Sequence, residues 1–347
     1  MDEKMNWGVE NFNRLIIHPS FNETIKEINQ LKIKLPYQSI SEELDFRSYI
    51  YPLNGELLNS LKDIINNIKL NPRNGTELLK NNKISAYDES INKFMGLEGT
   101  AYLMSHSLIV HGKDDYFPSN FLTFNFYTRS KSYIDQTKFL KYSEDPERDS
   151  KLDYIKDRTD FILNNIPKNS IILIDGPLIG GQVSSYTISL NNELLRKNVI
   201  PIFFIKNSNS NLVTDNIVEL KQKFNSDMHW AYNTLNAGER TVFFKYVDKY
   251  NDQNAKIFCY LKAFNISPQR IEFHINTFEK YENEITELMD LIYYLLLIQG
   301  DLKNPQIRSI AIAEKFARET LKLINLNKLI RSYGIMPILN QERFGWT

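Results

Sequence analysis

Two acidic residues sit where extended, apolar segments stop. In "IILIDGPLIGG" (171–181) four apolar residues run into Asp175, and in "KISAYDES" a shorter run meets Asp88. One reading is that each acid merely opens a turn, since Asp, Gly and Pro are common turn residues. The other is that buried strands hold carboxylates at the rim of a sheet, where chemistry and metal binding concentrate. The two acids are 87 positions apart, so only the fold can bring them together. If their strands are neighbours, the carboxylates can share one or two divalent cations. Mg²⁺ and Mn²⁺ take oxygen ligands, and a pair of such ions can stabilise in-line phosphoryl displacement.

Other chemistries are poorly served. "GPLIGG" lacks the Gly-x-x-x-x-Gly-Lys-Ser/Thr of a phosphate loop, and no Gly-x-Ser-x-Gly elbow occurs. Cys259 is the only cysteine, which excludes an internal disulfide and a zinc ribbon and suits a reducing interior. His106 and His111, five apart on expected strands, point to opposite faces and make a poor metal pair. Arg270, Glu272 and His274 share one strand face, which suits a structural ion pair as well as a substrate contact. Lys206, at a strand end, can hold a phosphate as a point charge or stand as a solvated loop lysine.

The elements that must carry these residues follow from hydrophobic spacing. Leu57, Leu58, Leu61, Ile64, Ile65 and Ile68 predict a helix over 54–70, broken by "NPRNG" at 71–75. From about 83 the pattern becomes extended, with strands expected around 83–90, 99–112 and 120–130 and antiparallel neighbours between them. A helix over 148–166, the strand at 171–175, a helix over 185–198 and a strand at 199–206 make a strand–helix–strand unit with parallel strands. "RTVFFKYV", "KIFCYLKAF" and "QRIEFHINTF" (269–278) read as further strands, and helices fill 280–298 and 307–329. No repeat or low-complexity tract interrupts them.

The chain has 347 residues, 42% hydrophobic and 24% charged, enough for one large domain or two ordinary ones. Its 42 basic and 42 acidic side chains cancel, so any polyanion site must be a local patch. The charged N-terminus lacks a signal-peptide core, and the apolar run at 291–298 is too short to cross a bilayer. A cytoplasmic protein with no membrane association is expected, and the N-x-T sequons at Asn22 and Asn74 read as chance.

The order of these motifs resembles the NurA nuclease family. That family has a strand ending in Asp-Gly-Ser, matched by "ISAYDES" with Asp88 and Ser90. A helix carrying an acid follows, then a strand running into Asp-Gly-x-Leu, matched by "IILIDGPL", and a strand leading to Lys with nearby serines. "VIPIFFIKNSNSNL" resembles this last, giving Lys206, Ser208 and Ser210. "IFCYLKAFNISPQRIEF" resembles the family's Tyr-Leu-Lys and Arg-x-Glu strands, with Arg270 and Glu272. The similarity spans about 83–320.

The resemblance implies an α/β fold with a mixed-sheet, ribonuclease-H-like core. A mainly helical N-terminal extension over 1–80, a nuclease domain over 81–330 and a tail over 331–347 are expected. It implies a Mn²⁺- or Mg²⁺-dependent deoxyribonuclease, with Asp88, Asp175, Asp160 and Glu314 as catalytic residues and the first three as metal ligands. Substrate contacts fall to Lys206, Ser90 and Arg270. The partners implied are DNA, a HerA-type hexameric ATPase in DNA end resection, and a second copy of the chain, with the first 80 residues and "QERFGWT" available for contacts. Several positions depart from the pattern: Glu89 replaces Gly, and the helix acid is Asp160 or Asp157 where the family has Glu. Asn304 replaces a Tyr, and the family's His falls at Ile312 or Glu314. These departures define an alternative, a catalytically impaired DNA-binding or scaffolding subunit; an unrelated α/β enzyme using Asp175 at a nucleotide site is a third.

Overall fold

The structure, a computed structural model, describes residues 20–30, 51–53, 56–60, 67–111, 115–131, 140–178, 184–217, 220–221, 223–248 and 251–337. The chain divides into two units, Met1–Ser39 and Ile40–Thr347. In the first, helix α1 (Ser20–Gln30) is described; it exposes Phe21, Ile25 and Ile28, a one-sided apolar stripe at helical spacing.

Among the described residues, the second unit is built on one mixed sheet of thirteen strands. Strands β1 (Tyr51–Leu53), β2 (Glu56–Ser60) and β3 (Ile68–Lys69) precede helix α2 (Pro72–Asn81). The long strands β4 (Lys83–Met95), β5 (Thr100–His111) and β6 (Tyr116–Thr128) follow, then β7 (Lys141–Tyr142) and helix α3 (Pro146–Asn165). Next come β8 (Ser170–Asp175), α4 (Ser184–Arg196), β9 (Val199–Ile205) and α5 (Asp227–Thr234). Strands β10 (Glu239–Arg240), β11 (Phe244–Asp248), β12 (Asn251–Lys262) and β13 (Gln269–His274) complete the sheet. Helices α6 (Ile275–Lys280), α7 (Ile285–Gln299), α8 (Arg308–Lys322) and α9 (Leu326–Ser332) close the described chain.

The spatial order is β1-β2-β11-β12-β13-β9-β8-β4-β5-β6-β7, with β10 pairing β12 and β3. At its centre β4, β8 and β9 run parallel, as expected of strands joined through helices. β5 and β6 return antiparallel beyond β4, and β13 and β12 do so beyond β9. This is the mixed α/β architecture that the sequence pattern implies. β8 is buried on both faces, which explains its unbroken apolar run. On one face Ile84, Ala86, Ile171, Leu173, Ile202 and Phe204 pack with α7 residues and Ile310 of α8. On the other, Tyr87, Ile172, Ile174 and Phe203 pack with Phe161 and Ile162 of α3 and Leu190 and Leu194 of α4.

Several elements differ from the sequence expectation. Among its described residues the helix expected over 54–70 is not found: Glu56–Ser60 is a strand paired antiparallel with β11, and Ile68–Lys69 pairs with β10. Leu57 and Leu58 belong to a short apolar run that fits either period, and sheet pairing decides it. "NPRNG" starts a helix rather than ending one. Asn71 caps it by accepting from the Arg73 N–H, and Pro72 occupies the first turn. Gly75 lets α2 lie against α7, since a Cβ there would fall 2.2 Å from the Leu291 backbone nitrogen, while Asp290 accepts from the Asn71 N–H at 2.8 Å. The strand expected over 269–278 stops at His274, whose imidazole caps α6, and the helix expected over 307–329 is two helices. "QERFGWT" lies outside the described residues. No helix among them is long and apolar enough to cross a membrane.

Candidate metal centre

Strand register places the two acids. Tyr87 of β4 pairs with Ile174 of the parallel β8, so the next residues, Asp88 and Asp175, stand side by side on adjacent strands. Both follow residues of one apolar face, Ala86 and Leu173, and alternation turns both carboxylates to that face. Helix α8 packs there through Ile310, and Glu314, one turn further on, arrives beside them. Ligand oxygens of Asp88, Asp175 and Glu314 lie within 4.8 Å of one another. The chain can turn away at once after Asp175 because Gly176 takes φ +113, a conformation that side chains disfavour. Its N–H donates to the Phe204 carbonyl at 2.8 Å, so the acid is pinned at the sheet rim.

Lys206, one residue past β9, reaches the same cluster. Its Nζ lies 2.6 Å from Asp175 Oδ2 and 3.1 Å from Glu314 Oε2. The other oxygen of Glu314 meets Arg318 Nη2 at 2.5 Å. Asp88 has no such relief. Burial, then the neighbouring charges of Glu89 and Asp175, push its carboxyl up to about 8, against smaller opposing effects of the Glu89 N–H and Lys206. Like charges this close in a desolvated site disfavour ionisation, and a hard cation on shared oxygens reverses that preference. Three oxygen donors converging on one point fit a divalent ion of the Mg²⁺ or Mn²⁺ type.

Not every residue singled out in the sequence reaches this point. Asp160 is exposed on α3 and lies outside the cluster. Asp157, the other helix candidate, is half-buried, with Thr123 lowering its pKa against a larger rise from burial. Helix α3 turns Tyr154 and Arg158 to the sheet instead, and both are buried. Ser90 lies one alternation beyond Asp88, paired with Ser105. Arg270 is buried, 3.0 Å from Glu272, and donates to Ser208 and Ser210, so it orders the loop after β9 and offers no exposed donor to a substrate. Glu272 is fully buried, receiving Lys256 at 2.7 Å and the Leu178 N–H at 2.9 Å. His106 is buried against Tyr87 at 2.7 Å; burial and Arg158 push its pKa down to about 4. His111 stacks on Tyr116.

Glu89 is the neighbour that motif reading passed over. It lies opposite His106 across β4 and β5, facing Tyr87, Tyr154 and Arg158. Burial raises its pKa, with Arg158 pulling it down. Arg158 donates to Thr187 Oγ1 at 2.7 Å. The signal was available in the spacing: Tyr87 and Glu89 alternate on the strand, and Tyr154 and Arg158 stand four apart on the helix that covers it.

The NurA domain model matches residues 94–319, well over half of the chain; Asp88 lies just upstream of that span. The NurA nuclease from Sulfolobus solfataricus is 12% identical, covering 92% of this chain and 98% of its own, with a TM-score of 0.50. A NurA structure with manganese is 9% identical over 89% of this chain and 98% of its own, with a TM-score of 0.42. Endonuclease V from Ciona intestinalis, in complex with inosine-containing DNA, is 11% identical over 73% of this chain and 95% of its own, with a TM-score of 0.38. No curated protein sequence matches.

Proposed function

Because this chain belongs to the NurA family, a family of nucleases on a ribonuclease-H-like fold, we propose that it is a divalent-metal-dependent deoxyribonuclease acting on DNA ends. The observation that carries this reading is the convergence of Asp88, Asp175 and Glu314 within 4.8 Å at one sheet rim. Asp88 and Asp175 would hold Mn²⁺ or Mg²⁺, with Glu314 beside them where the family has His. When bound, such an ion polarises a phosphoryl oxygen and makes water more acidic. The chain's own residues do the positioning. Parallel pairing of β4 and β8 fixes the two carboxylates, Gly176 frees the rim for a substrate, and Lys206 faces the same point with a positive charge suited to a phosphate. Asp160 is left out of the proposed ligand set, and Arg270 out of the substrate contacts.

Incubation of the full chain with end-labelled linear DNA, with Mn²⁺ or Mg²⁺ and with EDTA, tests the reading. Shortened products that require the metal support it; intact DNA under all conditions contradicts it. A second reading has its own support. Asn304 and Glu314 replace the family's Tyr and His, and both oxygens of Glu314 already meet cations. On that reading the chain is a catalytically impaired DNA-binding or scaffolding subunit, and DNA binding without cleavage is the expected result.

The partnership follows the family as well: a HerA-type hexameric ATPase feeding DNA in end resection during break repair, a homodimer, and a cytoplasmic setting. The net charge of zero fits a division of labour in which a partner supplies DNA affinity, and the exposed stripe on α1 offers a contact. Co-elution of the two proteins in size-exclusion chromatography supports the partnership, and separate peaks count against it.

A further inference from the structure

We propose that Lys206 serves as the second cation of this centre, so that each chain binds one divalent ion rather than a pair. The inference rests on the metal-centre reading above and concerns how many ions that centre takes. Carboxylate centres that cleave phosphodiesters commonly hold two metals about 3.5–4 Å apart, each needing its own oxygens. Here the oxygens for a second ion are already engaged. Lys206 Nζ bridges Asp175 Oδ2 and Glu314 Oε2 at 2.6 and 3.1 Å, and Arg318 takes Glu314 Oε1 at 2.5 Å.

The bridging lysine is built in. It directly follows β9, whose residues are all buried, and its side chain is only 19% exposed. The acid that could have widened the ligand set, Asp160, is exposed on α3, outside the cluster. Glu89 is turned to the opposite face, toward Arg158. Charge counting agrees. Three carboxylates against Lys206 and Arg318 leave one negative charge, which a single divalent ion already more than cancels. A second ion would add to the excess of positive charge around oxygens already shared. Lys206 then does at one end of the centre what a metal would do, presenting fixed positive charge to a phosphate without needing carboxylate ligands of its own.

Mn²⁺ counting by electron paramagnetic resonance on the full chain tests this directly. The Asp88→Asn/Asp175→Asn double variant supplies the background from unrelated surface sites, and circular dichroism verifies that each variant is folded. Above that background, one Mn²⁺ per wild-type chain is expected, two per Lys206→Met chain, and one per Lys206→Arg chain, which restores a cation. Two ions in wild type, or one ion in a folded Lys206→Met chain, would overturn the assignment of Lys206. No ion above background in wild type would overturn the metal centre itself, a result distinct from either.

Discussion

Two buried carboxylates on opposite faces of one sheet have opposite surroundings. Glu272 on β13 is ringed by cations and a backbone donor: Lys256 at 2.7 Å, Arg270 at 3.0 Å and the Leu178 N–H at 2.9 Å. Burial pushes its pKa up, but Lys256 and Arg270 more than offset this and hold it below the ordinary range. Asp88 on β4 is ringed by acids, and its pKa rises to about 8. The first arrangement is complete within the chain. The second has no cation within contact of Asp88 itself, since Lys206 sits on Asp175 and Glu314, and a metal ion from solution is the partner proposed for it. Sequence alone does not separate them, since both are acids on apolar strands; their neighbours across the sheet do.

The comparison can be broken or sharpened by mutation. The largest effect is expected on chemistry. Asp175→Asn should lower Mn²⁺-dependent cleavage of linear DNA on the order of 10³-fold, about 4 kcal/mol, while leaving urea unfolding without metal unchanged or improved. Retained cleavage would remove Asp175 from the centre. Glu272→Ala should behave in the opposite manner, destabilising the fold by about 3–5 kcal/mol because two cations are left buried without their partner. A urea midpoint equal to wild type would show that this triad is dispensable.

The two sites also predict opposite pH limbs. The stability from Glu272, whose folded pKa is depressed, is present above the ordinary glutamate value and lost as pH falls through the folded one. Asp88 has a raised folded pKa, so its contribution is complete below about pH 4 and is lost as pH climbs through about 8. In EDTA, Asp88→Asn should therefore gain stability over wild type at pH 8, on the order of a few kcal/mol, and much less at pH 4. Equal gains at both pH values would contradict the crowded-acid account. The smallest effect belongs to Arg318→Gln. Its side chain is 66% exposed, and thermal unfolding should change by no more than about 1 kcal/mol; a larger loss would mean that Arg318 is part of the fold rather than a screened partner of Glu314.

How much of this was legible depended on range. The parallel unit from β8 to β9 was readable because its apolar runs are continuous and its helix is of ordinary length, and Asp88 and Asp175 followed from where those runs stop. Glu314 came only through the resemblance, since nothing local to α8 marks it. Motif position points to Asp160, but the phase of α3 decides otherwise: Tyr154, Arg158 and Phe161 take the buried face and leave Asp160 in solvent. Arg270 looked available to a phosphate, and only the fold shows Ser208, Ser210 and Glu272 occupying it. The segment at 56–60 has helical spacing, yet pairing with β11 makes it a strand, a long-range contact that local periodicity does not encode.

The central claim is that a divalent ion binds where Asp88 and Asp175 meet, and thermal unfolding with and without Mn²⁺ tests it most directly. An ion that binds only the folded chain stabilises it by about 2.7 kcal/mol at a hundred times its dissociation constant. Wild type should therefore melt several degrees higher in Mn²⁺ than in EDTA, and Asp88→Asn and Asp175→Asn should show almost none of that shift. An equal Mn²⁺ shift in all three proteins would place the ion elsewhere and contradict the account.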